Sequence, residues 1–435
     1  MLMRRILLVI VMCLLVAGSA AVGIVAADWP FWQRVVRVSQ LSDSGEWPES
    51  FYQPVARIDS VAATAGTPPE FFAPADVAAP GIDPAALESA ARWAEANNSV
   101  ALLVLHRGRI ALERYWEGMD GVTLYSGRAM SRSLVGLVYG FAVTEGQVAL
   151  DDPVEKFLPE WRGEKRGRIT VRQLLQNVSG LEEVPLNVLN TPPGASQFER
   201  LAYLTRHFLE RNVRLSLGTD FAATALSFES AFDAGSRFAL ANANSQLLGV
   251  ILERATGVPF ERYVQQRLWQ FVATGTGEFY LDRSNGMPAV YCCFRATPRD
   301  FLRIGALLVD DGRLEGRQVL PAGWVAAMRE TSRINPLYGL QVWSGRAAAG
   351  TREYTTDSGR GVAHGEPYDT DDVIWMEGGG GRTIWAIPSQ ELVIVRLGRA
   401  SPGWDASMLP NTILRGLRSG PMQTPPDTSA TSLAR

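Results

Sequence analysis

Ala129-Met130-Ser131-Arg132-Ser133-Leu134-Val135-Gly136 opens the stretch of this 435-residue chain whose reading decides the fold. The apolar density from Ala129 to Glu145 predicts a helix buried on most sides, and Gly146 supplies its C-terminal stop. Such a helix belongs at the centre of a domain. Residues at i and i+3 share a helix face, so Ala129 and Arg132 project together. Ser131, at about 100° per residue, points away from that face. Ser133 lies nearer to it but one turn deeper, and Ser126 has the look of an N-cap.

Outward from this helix the chain alternates short strands with capped helices. Pro84-Ala85-Ala86-Leu87 opens an amphipathic helix ending near Asn98. Val100–Leu105 and Ile110–Tyr115 read as two strands joined by a turn at Arg107-Gly108-Arg109. After the central helix come Ala149-Leu150-Asp151-Asp152-Pro153-Val154 and the segment Ile169–Leu181. Gln246–Gly257 reads as a helix with a glycine stop, and Thr297 with Pro298 caps another. Trp385–Pro388 and Leu392–Gly398 look like a closing hairpin.

In this order and spacing, the segments from about Pro84 to Arg418 resemble the serine penicillin-recognising family: class C β-lactamases, penicillin-binding proteins, and the esterase and 6-aminohexanoate-oligomer hydrolase branch. The resemblance implies an α/β (α+β) fold, with an antiparallel sheet built from the beginning and end of the chain, flanking helices and a mostly helical subdomain. The pocket is expected at their seam. In that family the central helix opens Ser-x-x-Lys, and the lysine amine takes the proton as the serine oxygen attacks a carbonyl. Here the two positions hold Ala129 and Arg132. A methyl group cannot attack, and a guanidinium stays protonated.

The family's second motif, a tyrosine near an asparagine, falls on Leu240 in Phe238-Ala239-Leu240-Ala241-Asn242. Leucine offers no proton, whereas Asn242 keeps an amide that can bond a ligand or satisfy a buried turn. The third motif, a sheet strand whose backbone lines the pocket, reads Glu377-Gly378-Gly379-Gly380-Gly381-Arg382. The expectation is a protein with no intact catalytic set that binds or scaffolds. A carboxylate-bearing peptide or cell-wall fragment would lie against Arg132, Asn242, Gly379, Gly380 and Arg382, unless Arg132 is spent in an internal salt bridge. The alternative is an active amide, ester or β-lactam hydrolase with Ser131 as a displaced nucleophile.

A net charge of −3 with scattered basic residues excludes the footprint of a nucleic-acid binder. Arg4-Arg5 followed by an uncharged run from Ile6 to Ala27 predicts a transmembrane anchor or a signal peptide over residues 1–27, with the body at the cell envelope. Trp29, Phe31 and Trp32 would then suit an interfacial aromatic belt. Residues 28–80 read as an irregular stalk that later lies against the folded body, 81–418 as the hydrolase-like domain and 419–435 as a disordered tail. His106, His207 and a loop-borne His364 neighbour no nucleophile elbow and form no metal spacing, so neither a Ser-His-Asp site, a metal nor a cofactor is expected. Cys292 and Cys293 are adjacent, and neighbours rarely meet disulfide geometry.

Overall fold

Arg107 and Gly108 both take positive φ, 51° and 72°, and make the tight turn expected between the first two long strands. Left-handed φ at both central residues is the hairpin turn whose twist matches the strands it joins. The computed structural model describes residues 19, 22, 23, 25–40, 60–64, 81–183, 196–207 and 209–419. In chain order its main elements are α1 (Trp29–Gln40), β1 (Ser60–Thr64), α2 (Pro84–Ala96), β2 (Ser99–His106), β3 (Arg109–Tyr115), α3 (Ser131–Thr144), α4 (Gln197–Arg206) and α5 (Arg211–Leu217). Next come α6 (Asn242–Thr256), β4 (Gly277–Leu281), α7 (Pro298–Val309), β5 (Trp343–Ser344), β6 (Gly350–Glu353), β7 (Gly361–His364), β8 (Ile374–Gly378), β9 (Arg382–Ile387), β10 (Leu392–Gly398) and α8 (Met408–Ser419).

The fold is mixed α and β. An antiparallel sheet runs in the order β3-β2-β10-β9-β8-β5, so strands from both ends of the chain lie side by side, with Val104 opposite Ile394. Leu134, Leu137, Leu302, Ile384 and Val395 join α3 and α7 to one face of the sheet in a single apolar cluster. Ala90, Leu102, Ile394 and Ile413 join α2 and α8 to the other. Helix ends obey their local signals. Thr297 accepts from the Asp300 amide with Pro298 in the first turn, and Gly257 closes α6 at φ 71°.

Helix α3 is buried along Ser131–Gly140 because glycines let its neighbours close in. A Cβ on Gly140 would stand 2.6 Å from the Trp324 ring, whose indole N–H donates to the Gly136 carbonyl at 3.0 Å. Helix propensity favours alanine over glycine by about 1 kcal/mol, while overpacking costs about 1–3 kcal/mol. Gly140→Ala is therefore expected to lower the melting temperature. A rise on thermal unfolding would show that the ring yields freely.

The structure corrects four expectations. The segment after residue 27 is not wholly irregular: α1 buries Phe31, Val35 and Val38 against Val213 and Leu217, and β1 pairs with β4 in antiparallel register. Apolar spacing along one helix face explains the docking. Of the three aromatics assigned to a belt, Phe31 is fully buried, Trp32 packs edge-on against it at 5.3 Å, and only Trp29 is exposed. His364 lies in strand β7 rather than a loop. Cys292 and Cys293 are bonded to each other, in a turn where Cys293 takes φ 76°. Most of the run Ile6–Ala27 and the tail from residue 420 lie outside the described residues, among which no helix is long and apolar enough to cross a membrane.

Candidate functional site

The turn before α3 is held from both sides. Gly127 N–H donates to the Phe294 carbonyl at 2.9 Å, and the Arg128 carbonyl accepts from Cys293 N–H at 2.9 Å. Ser131 Oγ donates to that same carbonyl at 2.7 Å and accepts from Phe294 N–H at 2.8 Å. Arg128 takes φ 50°, a left-handed conformation that a side-chain-bearing residue holds only when its surroundings impose it. The consequence falls on its neighbour. Across Ser126–Gly140, Ala129 alone is not buried, so its methyl group faces the opening.

Two of the expected positions meet directly, and a third lies two residues from them in the chain. Arg132 donates from Nη1 to the Ala241 carbonyl at 3.2 Å and from Nη2 to Asn242 Oδ1, tying α3 to the start of α6. Asn242 thus serves the guanidinium. Leu240, two residues earlier, is half-buried and fixed by its N–H to the Tyr354 carbonyl at 2.9 Å. Arg132 itself is buried, and no carboxylate among the described residues pairs with it. Its Nε has no hydrogen-bond partner. Burial pulls its pKa below the ordinary arginine value, and the charges of Tyr338 and Glu183 pull the other way. Glu183 is engaged elsewhere, by Thr355 Oγ1 and by Arg360 at 3.9 Å.

The glycine strand end closes a second side. A Cβ on Gly378 would meet the Gly127 carbonyl oxygen at 2.1 Å, so only glycine lets β8 come this close to the turn. Gly379, Gly380 and Gly381 turn the chain into β9, with positive φ at the last two. Two buried arginines hold them. Arg382 donates to the Gly379 carbonyl at 2.5 Å and to the Tyr125 hydroxyl at 3.1 Å, while Arg396 donates to the Gly380 carbonyl, the Ser99 hydroxyl at 2.8 Å and the Asn97 carbonyl at 2.6 Å. Arg382 shapes the turn.

Below the site runs a chain of polar groups that sequence reading missed. Ser179 Oγ donates to Asn244 Oδ1 at 2.7 Å, Asn244 Nδ2 to Asn177 Oδ1 at 2.9 Å, and Asn177 Nδ2 to the Tyr338 hydroxyl at 3.2 Å. Tyr338 is buried, which raises its pKa, opposed next by the Arg132 charge. It is a phenol close enough to feel the guanidinium, delivered from a loop with no spacing signal toward Ala129. Ser133 donates to the Gln341 carbonyl at 2.6 Å, and Ser126 accepts from Arg128 N–H at 3.2 Å. Ser126 therefore steadies the turn and does not cap α3. His207 lies against Glu210, and no set of metal-holding side chains occurs among the described residues.

An antiparallel sheet whose strand β8 closes on the turn before one buried helix, with that turn leaving a single side chain partly open, matches the scaffold expected from the sequence. The beta-lactamase family model matches residues 85–415, so the chain belongs to the beta-lactamase family. It is 24% identical over 308 residues to 6-aminohexanoate-dimer hydrolase of Paenarthrobacter ureafaciens, covering 68% of this chain and 71% of that protein. A Bacillus anthracis structure described as a 6-aminohexanoate-dimer hydrolase superposes with a TM-score of 0.61 at 16% identity, over 87% of this chain and 92% of that one. A penicillin-binding protein homologue from Caulobacter crescentus does so at 0.52 and 13% identity, over 77% and 99%. These structural likenesses carry the fold.

Proposed function

We propose that this chain is a catalytically silent member of its family that holds a carboxylate-bearing peptide or cell-wall fragment over Ala129, at the bacterial cell envelope. The observation that carries the reading is Arg132. It stands where a proton acceptor is needed, cannot become one, and uses two of its nitrogens to fix Ala241 and Asn242. Ala129 brings no oxygen to the opening. The Ser131 hydroxyl is 3% exposed, with its proton committed to the Arg128 carbonyl and a lone pair to Phe294 N–H, which leaves it poorly placed to attack.

A ligand carboxylate matches what remains. The guanidinium carries a full charge with no carboxylate paired to it among the described residues, and its Nε lacks an acceptor. An acid supplied by a ligand would relieve that imbalance, with help from backbone N–H groups at the start of α3. The substrate named for the Paenarthrobacter relative is itself an amino-carboxylate. Arg4-Arg5 and the uncharged run behind it support the envelope location.

The test is covalent labelling. A fluorophosphonate and a fluorescent penicillin, read by intact mass, are expected to leave the native chain unlabelled and to acylate the Ala129→Ser/Arg132→Lys/Leu240→Tyr variant at residue 129. An adduct on any hydroxyl of the native chain, especially one lost in Ser131→Ala, overturns the silent reading and establishes the hydrolase alternative. Calorimetric titration with an N-acetylated dipeptide acid and with its carboxamide tests the ligand class. The acid is expected to bind and the amide not; equal behaviour removes the carboxylate.

A further inference from the structure

We propose that the end of the helical part where α1 begins is a docking face for a phospholipid bilayer, with Trp29 and Leu209 entering the headgroup layer. The inference rests on reading residues 6–27 as a membrane segment, and it concerns what that segment imposes on the folded body. The segment's last residue, Ala27, lies two positions before Trp29, about 3 Å along a helix. Helix α1 is no loose tether. Phe31, Val35 and Val38 are fully buried against Val213 and Leu217. Arg34, 2% exposed, donates to the Leu217, Gly218 and Asp282 carbonyls at 3.1, 2.5 and 2.6 Å. Arg214 pairs with Asp28 and lies 4.3 Å over the Phe31 ring.

A helix fixed this firmly carries the body with it, so the face beside residue 28 cannot leave a membrane that residues 6–27 occupy. The packing sets the composition of that face. Arg200, near the start of α4, donates to the Ser39 carbonyl at 3.0 Å near the end of α1, and Leu201 and Tyr203 of α4 pack on the same apolar cluster as Phe31. Asp28 and Leu209 line one cleft of about 590 Å³ with Arg214 and Gly218. On this face Trp29 is 55% and Leu209 73% exposed, among few large apolar side chains so open to water in the described residues. Exposed apolar side chains grouped together mark an interaction surface, and tryptophan suits the headgroup level. Two of the charges nearby are paired, Asp28 with Arg214 and Arg211 with Glu182. Charges paired within the protein oppose the approach of lipid headgroups less than unpaired ones do.

The experiment uses the full chain in vesicles of phosphatidylcholine and phosphatidylglycerol, with Cys13→Ser and a nitroxide on Leu209→Cys. A label on Val122→Cys, a position 74% exposed, serves as the comparator. Collisions with oxygen and with a water-soluble nickel chelate report depth. The Leu209 label is expected to be shielded from the chelate several-fold more than the Val122 label. Equal access at both sites overturns the docking face. Alkaline carbonate extraction decides the anchor separately: a chain stripped from the vesicles loses its anchor, while a Leu209 label still shielded on added vesicles keeps the face.

Discussion

Glu377→Gln is expected to lower the free energy of unfolding by about 3–5 kcal/mol, the range for breaking a buried ion pair from one side. Glu377 on β8 accepts from Arg352 Nη2 and from the Tyr354 hydroxyl at 2.7 Å, and the paired side chains are only 5% and 6% exposed. Arg352 lies 3.9 Å over the Trp343 ring, and its Nε and Nη1 have no hydrogen-bond partner. With glutamine in place of the carboxylate it remains a buried cation without a counter-charge, beside an amide and aromatic faces, and it cannot shed its proton. Urea unfolding measures the loss. Arg352→Met together with Glu377→Gln is expected to recover much of it, because the uncompensated charge leaves with the arginine. An unchanged midpoint in the single variant would contradict the burial of the pair. The same change reaches the candidate site, since Tyr354 both donates to Glu377 and holds the Leu240 amide through its carbonyl. Faster hydrogen exchange at Leu240 is the expected local signature.

The second large effect depends on pH. His364 is 2% exposed on β7, with no hydrogen-bond partner on either ring nitrogen. Burial first, then the Arg352 charge, lower its pKa from 6.5 to about 4, against a smaller opposing pull from Asp405. Between those values the unfolded chain binds a proton that the folded chain does not, so stability falls as pH drops through the window. At about 1.4 kcal/mol per unit the contribution lost is about 3 kcal/mol. Glu253, Glu261 and Asp282, raised mainly by burial, act in the opposite sense and gain stability on acidification. They are shared by both proteins in a comparison with His364→Gln. Urea midpoints from pH 7 to pH 4 are expected to fall more steeply in the native chain than in the variant; parallel curves would mean that His364 titrates as it does in water.

Local physics explains what was readable in advance. The hairpin at Arg107-Gly108, the Thr297–Pro298 helix start and the Gly257 stop each depend on a few adjacent residues. The positions of Ala129, Arg132, Leu240 and Asn242 came from order and spacing, and the structure brings Arg132 against Asn242 and sets Leu240 two residues away. Features assembled across long stretches of chain left no local trace. Arg352 meets Glu377 because a hairpin folds over a strand, and Tyr338 meets Asn177 across 161 positions. The stalk was expected to lie against the body, but the helical form of α1 was hidden for a different reason. Its contacts lie 161 or more positions away, and a Pro- and Ala-rich flank reads as irregular until a partner surface is known.

The turn at Arg128 is braced by main-chain groups of residues 293 and 294 and by the Ser131 hydroxyl, and none of these bonds is made by the side chain at position 129. Folding is thereby insulated from whatever that position carries. A hydroxyl placed at residue 129 would meet a frame already held by other groups, so what the opening presents can change while the bonds that shape it stay in place.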